Sequence, residues 1–525
     1  MAGLNQEQSE ALSDSDGPRC GLAGPGSGKT TFLTHLVEKI IDSGVAPQKI
    51  CGLTFSREMA ASAEKRSGSN GIFSTFHSFG YKVCSHAGRK PVEPELRSRL
   101  LKKLSRKWYL DYKDLERFIE ELKRTGVTPA EAAASECYDY GLVNAYAEYE
   151  DERQAAGWMD FGSMVAEAIT LLEDPAFRKK WQYEYVLVDE AQDTDDQQFR
   201  MLQLLSEKHG NVLVVGDANQ CIYGFRGAVP ENLARFQKWF PGGKYFYLGR
   251  NHRSTRAIVR FIRENAPKDT PKELLDKMLA ARDVEGKPIE LKMYWNENDE
   301  AESAIALANQ NPTASIILAR TNAWLGLLQA FCDANNVRYH LLGQEDFWKR
   351  NEILKAGALL RSFLHLDLPR AMDAVIGQLR RNYEVDDRTN QDNWAVENIL
   401  RLADISKKHS SAREFANYLN RMAHRRNIVQ GITLGTVHAA KGGEWKNVFI
   451  VGVRADLMPH KKAENLLEEE RIWFVAISRA IDELRISWTG TPSPYLRRYL
   501  SADILAQLQK QAESVEKIQK QHSLF

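Results

Sequence analysis

Short apolar runs that stop at small or acidic residues recur along the first half of the chain. Residues 20–23 lead into a Gly/Pro/Ser loop, Tyr185–Val188 stops at Asp189, and Val212–Val215 stops at Gly216. Nearly continuous apolar runs of this length are typical of strands buried on both faces of a parallel sheet. The pattern predicts an α/β protein.

The hydrophobic period changes elsewhere in the chain. Residues 289–343 alternate between strand and helix patterns, which extends the α/β region. Residues 93–172 and 345–428 instead show apolar positions at helical spacing among many charges. These two stretches are predicted to be helical.

Composition narrows the class of protein. The chain has 525 residues, too many for one ordinary core, so several domains are expected. A net charge of +1 excludes a protein that is basic throughout, so any nucleic-acid site must be a local groove. The six cysteines share no metal-ligand spacing, which favours reduced thiols. We expect no secretion signal, no membrane partner and a cytoplasmic location.

The most informative loop follows the first strand and precedes an amphipathic helix predicted to start near Lys29. Its glycines free backbone N–H groups to surround phosphates, Lys29 would supply charge to the β- and γ-phosphates, and Thr30 would bind Mg²⁺. The strict pattern begins with Gly, where this chain has Ala23. A chance Gly-rich turn is the alternative. The candidate nucleotide-binding residues here are Ala23, Gly24, Pro25, Gly26, Ser27, Gly28, Lys29, Thr30 and Thr31.

Two carboxylates follow the strand at Tyr185–Val188. Asp189 at the carboxyl edge of a sheet is placed to hold Mg²⁺, and Glu190 is placed to orient or deprotonate a water molecule. An acidic turn between strand and helix is the simpler alternative. The phosphate loop earlier in the chain favours the catalytic interpretation.

The segment after Val212–Val215 carries a further candidate group. Gln220 is placed to sense a γ-phosphate, and Tyr223 and Phe225 flank a glycine beside Arg226. Aromatic rings beside a cation suit stacking on unpaired bases with a phosphate contact. Without the neighbouring motifs, core packing would be the favoured interpretation of the two rings.

The order of these motifs resembles that of the UvrD/Rep/PcrA-like superfamily 1 DNA helicases, over about residues 4–490. "LNQEQ" is similar to the adenine-reading Q motif, with Gln8 as the reader. The other motifs carry the resemblance in the right order: 53–66 (Ia), 74–83 (Ib), "LVDEAQD" (II), "VGDANQCIYGFRGA" (III), 247–255 (IV), 432–453 (V) and 468–484 (VI). The resemblance implies two RecA-like parallel-sheet motor domains that use ATP and Mg²⁺.

The same resemblance implies roles for individual residues. Lys29, Glu190, Gln220 and the two arginine fingers, Arg253 and Arg479, would be catalytic, with the arginines reaching the nucleotide from the second motor domain. Thr30 and Asp189 would hold the metal, and Glu444 would touch the ribose. The residues implied to line the single-strand path are Thr54, Phe55, Thr75, His77, Tyr223, Phe225 and His438.

Two departures from the family pattern fall around the nucleotide base. The family usually stacks a tyrosine on adenine, where this chain has His252, and it usually has an arginine where this chain has Thr31. Phosphate chemistry is expected to survive both changes. Histidine can still stack on a base, so the preference for ATP over other nucleoside triphosphates stays open.

The resemblance also implies a division of the chain. The predicted segments are 1–85 (motor domain 1A, first part), 86–175 (helical insertion 1B), 176–247 (1A, second part), 248–344 (motor domain 2A, first part), 345–429 (a reduced helical 2B insertion), 430–495 (2A, second part) and 496–525 (a C-terminal helix and tail). The family's larger 2B grips duplex DNA, so that function is not carried over to this chain.

The last residues are apolar after a polar helical stretch. Gln521, Ser523, Leu524 and Phe525 resemble the bacterial sliding-clamp-binding pentapeptide, from which His522 departs. Leucine and phenylalanine on a free end can fill an apolar pocket of a partner, with the glutamine bonded at its rim. A frayed end, or one folded onto its own core, is the alternative.

The motifs and the resemblance together predict an ATP-dependent DNA helicase that moves on single-stranded DNA, in repair or replication. The 3′-to-5′ direction is implied by the resemblance alone. The partners of such a helicase would be single strands, single-strand/duplex junctions and the clamp, and it would be a monomer or weak dimer. The resemblance of the tail to a clamp-binding motif implies that the cytoplasm is that of a bacterial or phage-infected cell. Two alternatives stay open. One is a clamp-tethered translocase that displaces bound proteins with little unwinding, and the other is a nucleotide-gated DNA-binding protein.

Overall fold

A computed structural model describes residues 4–55, 60–61, 71–135, 137–224, 227–343, 347–383, 390–407, 409–423, 431–463 and 465–500, without the side chains of 124, 380–383 and 390–397. The chain forms two compact units. The first is Met1–His252 with Thr270–Met278, and the second is Arg253–Asp269 with Leu279–Phe525. The finer division into seven segments stays a prediction.

The first unit is built on a parallel sheet of six strands in the order β3-β2-β6-β7-β1-β8. Its apolar strands are buried on both faces, which explains the nearly continuous hydrophobic runs. A separate two-stranded pair, β4 and β5, brackets the helical insertion. The strands are β1 (Arg19–Ala23), β2 (Ile50–Thr54), β3 (Phe73–Thr75), β4 (Lys90–Pro91), β5 (Trp158–Met159), β6 (Tyr185–Val188), β7 (Val212–Gly216) and β8 (Lys244–Leu248).

Helices cover the sheet and form the insertion. They are α1 (Gln6–Ser13), α2 (Lys29–Asp42), α3 (Phe76–His86), α4 (Pro94–Lys107), α5 (Tyr112–Thr125), α6 (Pro129–Ala134), α7 (Tyr140–Ala155), α8 (Met164–Glu173), α9 (Pro175–Arg178), α10 (Asp196–Ser206), α11 (Glu231–Ala234) and α12 (Phe236–Trp239). The insertion helices α4–α7 have their own core, which includes Leu101, Leu104, Leu115, Ile119 and Tyr149. That core explains the helical spacing seen in this stretch.

The second unit repeats the architecture with the strand order β11-β12-β10-β13-β14-β9, all parallel. Its strands are β9 (Glu290–Tyr294), β10 (Ser315–Ala319), β11 (Tyr339–Leu341), β12 (Ile432–Thr436), β13 (Trp445–Ile450) and β14 (Ala480–Thr489). Its sheet helices are α13 (Arg256–Glu264), α15 (Glu297–Ala308), α16 (Asn322–Ala334) and α21 (Leu466–Ile477), while α14 (Lys272–Lys277) belongs to the first unit and packs beside β8. The α/β prediction with two parallel sheets is confirmed.

Four helices between β11 and β12 pack around one apolar cluster that includes Trp348, Phe415 and Leu419. They are α17 (Asn351–Leu360), α18 (Leu368–Tyr383), α19 (Asn390–Ser406) and α20 (Ala412–Ala423). The prediction that 345–428 is mainly helical is therefore confirmed for the described part of this stretch, in which short turns join the helices. Of the described helices, none has the length and apolar character needed to span a bilayer.

Candidate nucleotide site and nucleic-acid interface

The phosphate loop connects the carboxyl end of β1 to the start of α2 at Lys29, as predicted. Gly28 caps α2 with φ +76°, a conformation that favours glycine, and a Cβ there would lie 2.8 Å from Gln8 Nε2, so a larger residue would displace the Gln8 amide. Ala23 is fully buried and pairs with Leu248 as the last residue of β1. A small strand residue therefore suffices where the family pattern has glycine.

Thr30 and Asp189 meet beside the loop. Thr30 Oγ1 donates to Asp189 Oδ2 at 3.2 Å, and only 5% of Asp189 is exposed. Burial and the adjacent Glu190 charge raise the pKa of Asp189 to about 7, against the opposing charge of Lys29. A hydroxyl and a carboxylate are ligands that Mg²⁺ accepts, and an ion there would favour the charged carboxylate.

One further observation fits a phosphate-bound ion at this corner. Ser27 Oγ is buried in the loop and makes no hydrogen bond within the described part of the chain. Mg²⁺ commonly takes one or two protein oxygens and completes its shell with water and substrate phosphates. The Thr30–Asp189 pair fits that mode.

Glu190 has an unusual backbone. Its φ is +52°, in the left-handed region that a glutamate rarely adopts, and its N–H donates to Asp189 Oδ1 at 2.9 Å. Gln192 Nε2 donates to Glu190 Oε2 at 2.6 Å. The two adjacent carboxylates therefore have different partners: Asp189 is bonded to Thr30, and Glu190 is bonded to Gln192.

The segment after β7 is bonded to the same group of residues. Asp217 is fully buried, its carboxylate accepts from Gln220 Nε2 at 2.6 Å, and its N–H donates to Gln192 Oε1 at 2.9 Å. Burial raises the pKa of Asp217 to about 6, with Lys29 opposing. Sequence reasoning missed Gln192 and Asp217. The only available signal was their place within motifs II and III.

On the other side of the loop, the N-terminal segment contacts the loop backbone. Gln8 is 2% exposed, donates through Nε2 to Ser27 O at 3.0 Å and accepts from Asn5 N at 3.0 Å. Asn5 Nδ2 lies 2.7 Å from His252 Nε2, and His252 N donates to Gly26 O at 2.8 Å. The structure thus brings Gln8, the loop and His252 together, and it adds Asn5, which the sequence did not single out.

The histidine at this position is held as a neutral ring. Burial and the charge of Arg250 lower the pKa of His252, while Glu7 opposes them. Thr31, the other departure from the family pattern, is exposed in the first turn of α2.

Aromatic pairs lie beside the carboxyl ends of β2 and β3, where Thr54 pairs with Thr75. Phe55 stacks on Tyr223, with ring centroids 5.6 Å apart and planes 13° apart. His77 stacks on Phe161 at 4.2 Å and 4°. Two predicted path residues of this unit, Phe55 and Tyr223, therefore stack on each other, and a third, His77, stacks on a ring that was not predicted, whereas Phe225 lies outside the described residues.

Phe161 was missed because it lies far from His77 in the sequence. It is 68% exposed, which is unusual for a phenylalanine and suits a ring that contacts a ligand. Burial lowers the pKa of His77, so the stacked pair is uncharged near neutral pH.

In the second unit, the two predicted arginine fingers lie next to each other. Arg253 Nη1 donates to Ser478 O at 3.2 Å, and Arg253 Nε is 2.5 Å from Glu444 Oε2. Arg479 is 1% exposed and donates to Val475 O, Gly443 O and Ser478 Oγ at 2.8–3.0 Å. Arg253, Arg479 and Glu444 thus form one cluster, and His438 follows β12 in the same unit.

Two family models match the chain. The UvrD/REP helicase N-terminal domain matches residues 4–241, and the UvrD-like helicase C-terminal domain matches 246–411 and 376–491. Among curated proteins, the chain is similar to the ATP-dependent DNA helicases PcrA of Staphylococcus aureus and Staphylococcus epidermidis, at 26% identity over 92% of this chain and 83% of each relative. Both alignments span 606 residues, more than the 525 of this chain, so the relatives have residues that it lacks. The chain belongs to the UvrD helicase family.

Proposed function

We propose that this protein is an ATP-dependent DNA helicase that moves 3′ to 5′ along single-stranded DNA. The observation that carries the proposal is the carboxylate pair beside the phosphate loop, with Asp189 bonded to Thr30 and Glu190 directed to Gln192. The PcrA relatives support the activity by name, and the direction of movement rests on the family resemblance.

The loop residues explain how ATP would be held. Backbone N–H groups of the loop and the ammonium of Lys29 would neutralise the phosphates at the start of α2. Thr30 and Asp189 would hold Mg²⁺, which when bound supplies positive charge to the phosphate oxygens. Gln8 and His252, on the other side of the loop, would flank the base.

Glu190 would orient the attacking water and accept its proton. Its carboxylate is fixed by Gln192 and lies next to the metal corner, which is the placement a general base requires. We propose that Arg253 and Arg479 supply positive charge to the transferring phosphoryl group, as arginine fingers do. Because Arg253 is paired with Glu444 here, it would exchange that partner during the cycle.

The aromatic pairs support single-strand binding. Stacking of bases on aromatic rings tolerates any sequence, as movement along DNA demands. Phe55, Tyr223, His77 and Phe161 are all near the carboxyl ends of β2 and β3 or in the segment after β7. We propose that these rings contact the bases.

The direct test is strand displacement on two duplexes, one with a 3′ single-stranded tail and one with a 5′ tail. Unwinding that needs ATP and occurs only from the 3′ tail is the expected result. Unwinding only from the 5′ tail would refute the proposed direction. ATP hydrolysis that single-stranded DNA does not stimulate would refute the motor itself and favour a nucleotide-gated binding protein.

A second candidate function is a translocase that displaces bound proteins with little unwinding. The curated relatives have residues that this chain lacks. If these include the part of 2B that grips duplex DNA, as the predicted reduction of 2B implies, movement with little strand separation is favoured. It predicts DNA-stimulated hydrolysis and displacement of a protein roadblock, such as streptavidin on biotinylated DNA, without separation of either tailed duplex.

The C-terminal residues Gln521, Ser523, Leu524 and Phe525 lie outside the described residues, so their role rests on the sequence. We propose that they bind a bacterial sliding clamp. Removal of Phe525 should abolish capture by an immobilised clamp and leave ATP hydrolysis unchanged. Undiminished capture of the shortened chain would refute the proposal.

A further inference from the structure

The side-chain amide of Gln192 joins two motifs that are distant in the sequence. Nε2 donates to Glu190 Oε2 at 2.6 Å, and Oε1 accepts from Asp217 N at 2.9 Å. A backbone N–H can only donate, so the carbonyl end of the amide must face Asp217 and the NH₂ end must face Glu190. The orientation of the amide is therefore fixed by chemistry.

The Gln192 amide is buried and closely packed against the end of β7. Gln192 is 0% exposed. A Cβ on Gly216 would lie 2.7 Å from Gln192 Oε1 and 2.9 Å from Gln192 N, so no larger residue fits at the end of β7 while the amide stays in place. The close approach of β7 to Gln192 is a specific feature and not loose packing.

From Asp217 the connection continues toward the aromatic pair. The Asp217 carboxylate accepts from Gln220 Nε2 at 2.6 Å, at the end of the short helical turn Ala218–Gln220. Tyr223 follows three residues later and stacks on Phe55. A short turn, closed by the Gln220–Asp217 hydrogen bond, thus separates the ring proposed to contact DNA from the residue that is bonded to Gln192.

We propose that Gln192 is a positioning residue that transmits the presence of DNA at Tyr223 to the carboxylate of Glu190. The inference rests on the proposed function, in which Glu190 orients the attacking water. Bases stacked on Tyr223 would shift the 217–223 segment, and the amide would carry that shift to Glu190 Oε2. A displacement of a catalytic group by about 1 Å is enough to change a rate about 100-fold.

The test compares steady-state ATP hydrolysis with and without a single-stranded oligonucleotide. Gln192→Met keeps the length of the side chain and removes both hydrogen bonds. The DNA-stimulated kcat should fall about 10- to 100-fold, with the KM for ATP within about twofold of wild type and the stimulation by DNA largely lost. Gly216→Ala, which pushes against the amide from β7, should act in the same direction.

A matched control exists in the same unit. The amide of Gln182 also bridges two groups, donating to Leu204 O at 2.8 Å and accepting from Lys208 N at 2.9 Å. It touches none of the residues assigned to the site. Gln182→Met should leave the stimulated kcat within about twofold of wild type. If Gln192→Met fails to fold by its thermal transition, Gly216→Ala decides the outcome.

The outcomes separate this inference from the proposed function. A stimulated kcat within twofold of wild type in Gln192→Met, or equal losses of basal and stimulated rates, would overturn the relay. The proposed function would still stand if wild type is stimulated by DNA and Glu190→Gln is inactive. A wild-type enzyme without DNA stimulation, or an active Glu190→Gln, would overturn both.

Discussion

Two buried carboxylate clusters of the first unit show opposite electrostatics. In the insertion, Asp160 is 5% exposed and bonded to Lys123 Nζ at 2.6 Å, to Tyr149 Oη at 2.5 Å and to Ser163 Oγ at 2.7 Å. Burial alone would raise its pKa, but Lys123 and the hydrogen bonds outweigh burial and hold the pKa well below its usual range. Asp189, equally buried, has its pKa raised to about 7.

The difference lies in what balances the charge. Lys123 also pairs with Glu150, so the insertion cluster contains its own cation at contact distance. At the phosphate loop, Lys29 only partly offsets the burial of Asp189 and the charge of Glu190. A compensated cluster holds a fold together, whereas an uncompensated one is prepared for a ligand that brings positive charge.

The largest effect should come from Glu190→Gln. The change keeps the size and removes the base, so the DNA-stimulated kcat should fall about 10²- to 10⁴-fold while ATP still binds. Steady-state hydrolysis and fluorescent-nucleotide binding measure the two properties. Glu184→Gln, at the other end of β6, is the control and should remain active. Retained hydrolysis in Glu190→Gln would remove this residue from the mechanism.

Lys123→Met breaks the compensated cluster. It leaves the Asp160 carboxylate buried without its cation, which typically costs about 3–5 kcal/mol, whereas Glu150 keeps Arg153 as a partner. The free energy of unfolding of the first unit, from denaturant titration, should fall by that order. A loss below 1 kcal/mol would show that the cluster is solvated in solution, and the contrast with Asp189 would fail.

Asp189→Asn should act in the opposite direction on stability. It removes a buried charge that the ligand-free protein compensates poorly, so the same unfolding free energy should rise by about 1–3 kcal/mol at pH 8. Activity should be lost in the same variant. A destabilised Asp189→Asn would mean that the charge of this carboxylate is already compensated in the ligand-free protein.

The smallest effect concerns pH. The folded pKa of Asp217, about 6, lies above its usual value of 3.8, so the folded state binds more protons than the unfolded state between these values. Its contribution to stability is therefore present below pH 3.8 and is lost as pH rises to about 6. Burial causes the shift, and the groups that influence it are Lys29, Gln220 and Glu190.

The free energy of unfolding should fall less between pH 4 and pH 7 in Asp217→Asn than in wild type. The difference should be about 1 kcal/mol or more, measured by denaturant titration. Asp160 has the opposite sign, since its lowered pKa contributes stability that is lost only under acid conditions. An unchanged slope in Asp217→Asn would contradict the assignment.

Strands and helices were predictable from the sequence where a short run of neighbouring residues carries the signal. The short apolar runs at Tyr185–Val188 and Val212–Val215 are strands of a sheet that is covered on both faces. Helix α2 starts at Lys29, directly after the last glycine of the loop. The carboxylates at the strand ends followed from those assignments.

Contacts between distant segments were not predictable from the sequence. Gln192 meets Asp217 only because β6 and β7 are neighbours in the sheet, and Phe161 meets His77 across the boundary of the insertion. The compensation of Asp160 by Lys123 depends on how α5 packs, which periodicity alone does not specify. From the sequence alone, the segment around Gln192 is only a turn, and the segments around Lys123 and Asp160 are only charged stretches, because the sequence does not show which distant residues they contact.

The left-handed backbone of Glu190 has a consequence for engineering. A non-glycine residue held at φ +52° costs of order 1–3 kcal/mol, and glycine adopts that conformation freely. A library selected for heat tolerance alone would therefore enrich Glu190→Gly and return robust proteins that no longer hydrolyse ATP. Thermostabilisation of this chain should keep position 190 constant and search elsewhere.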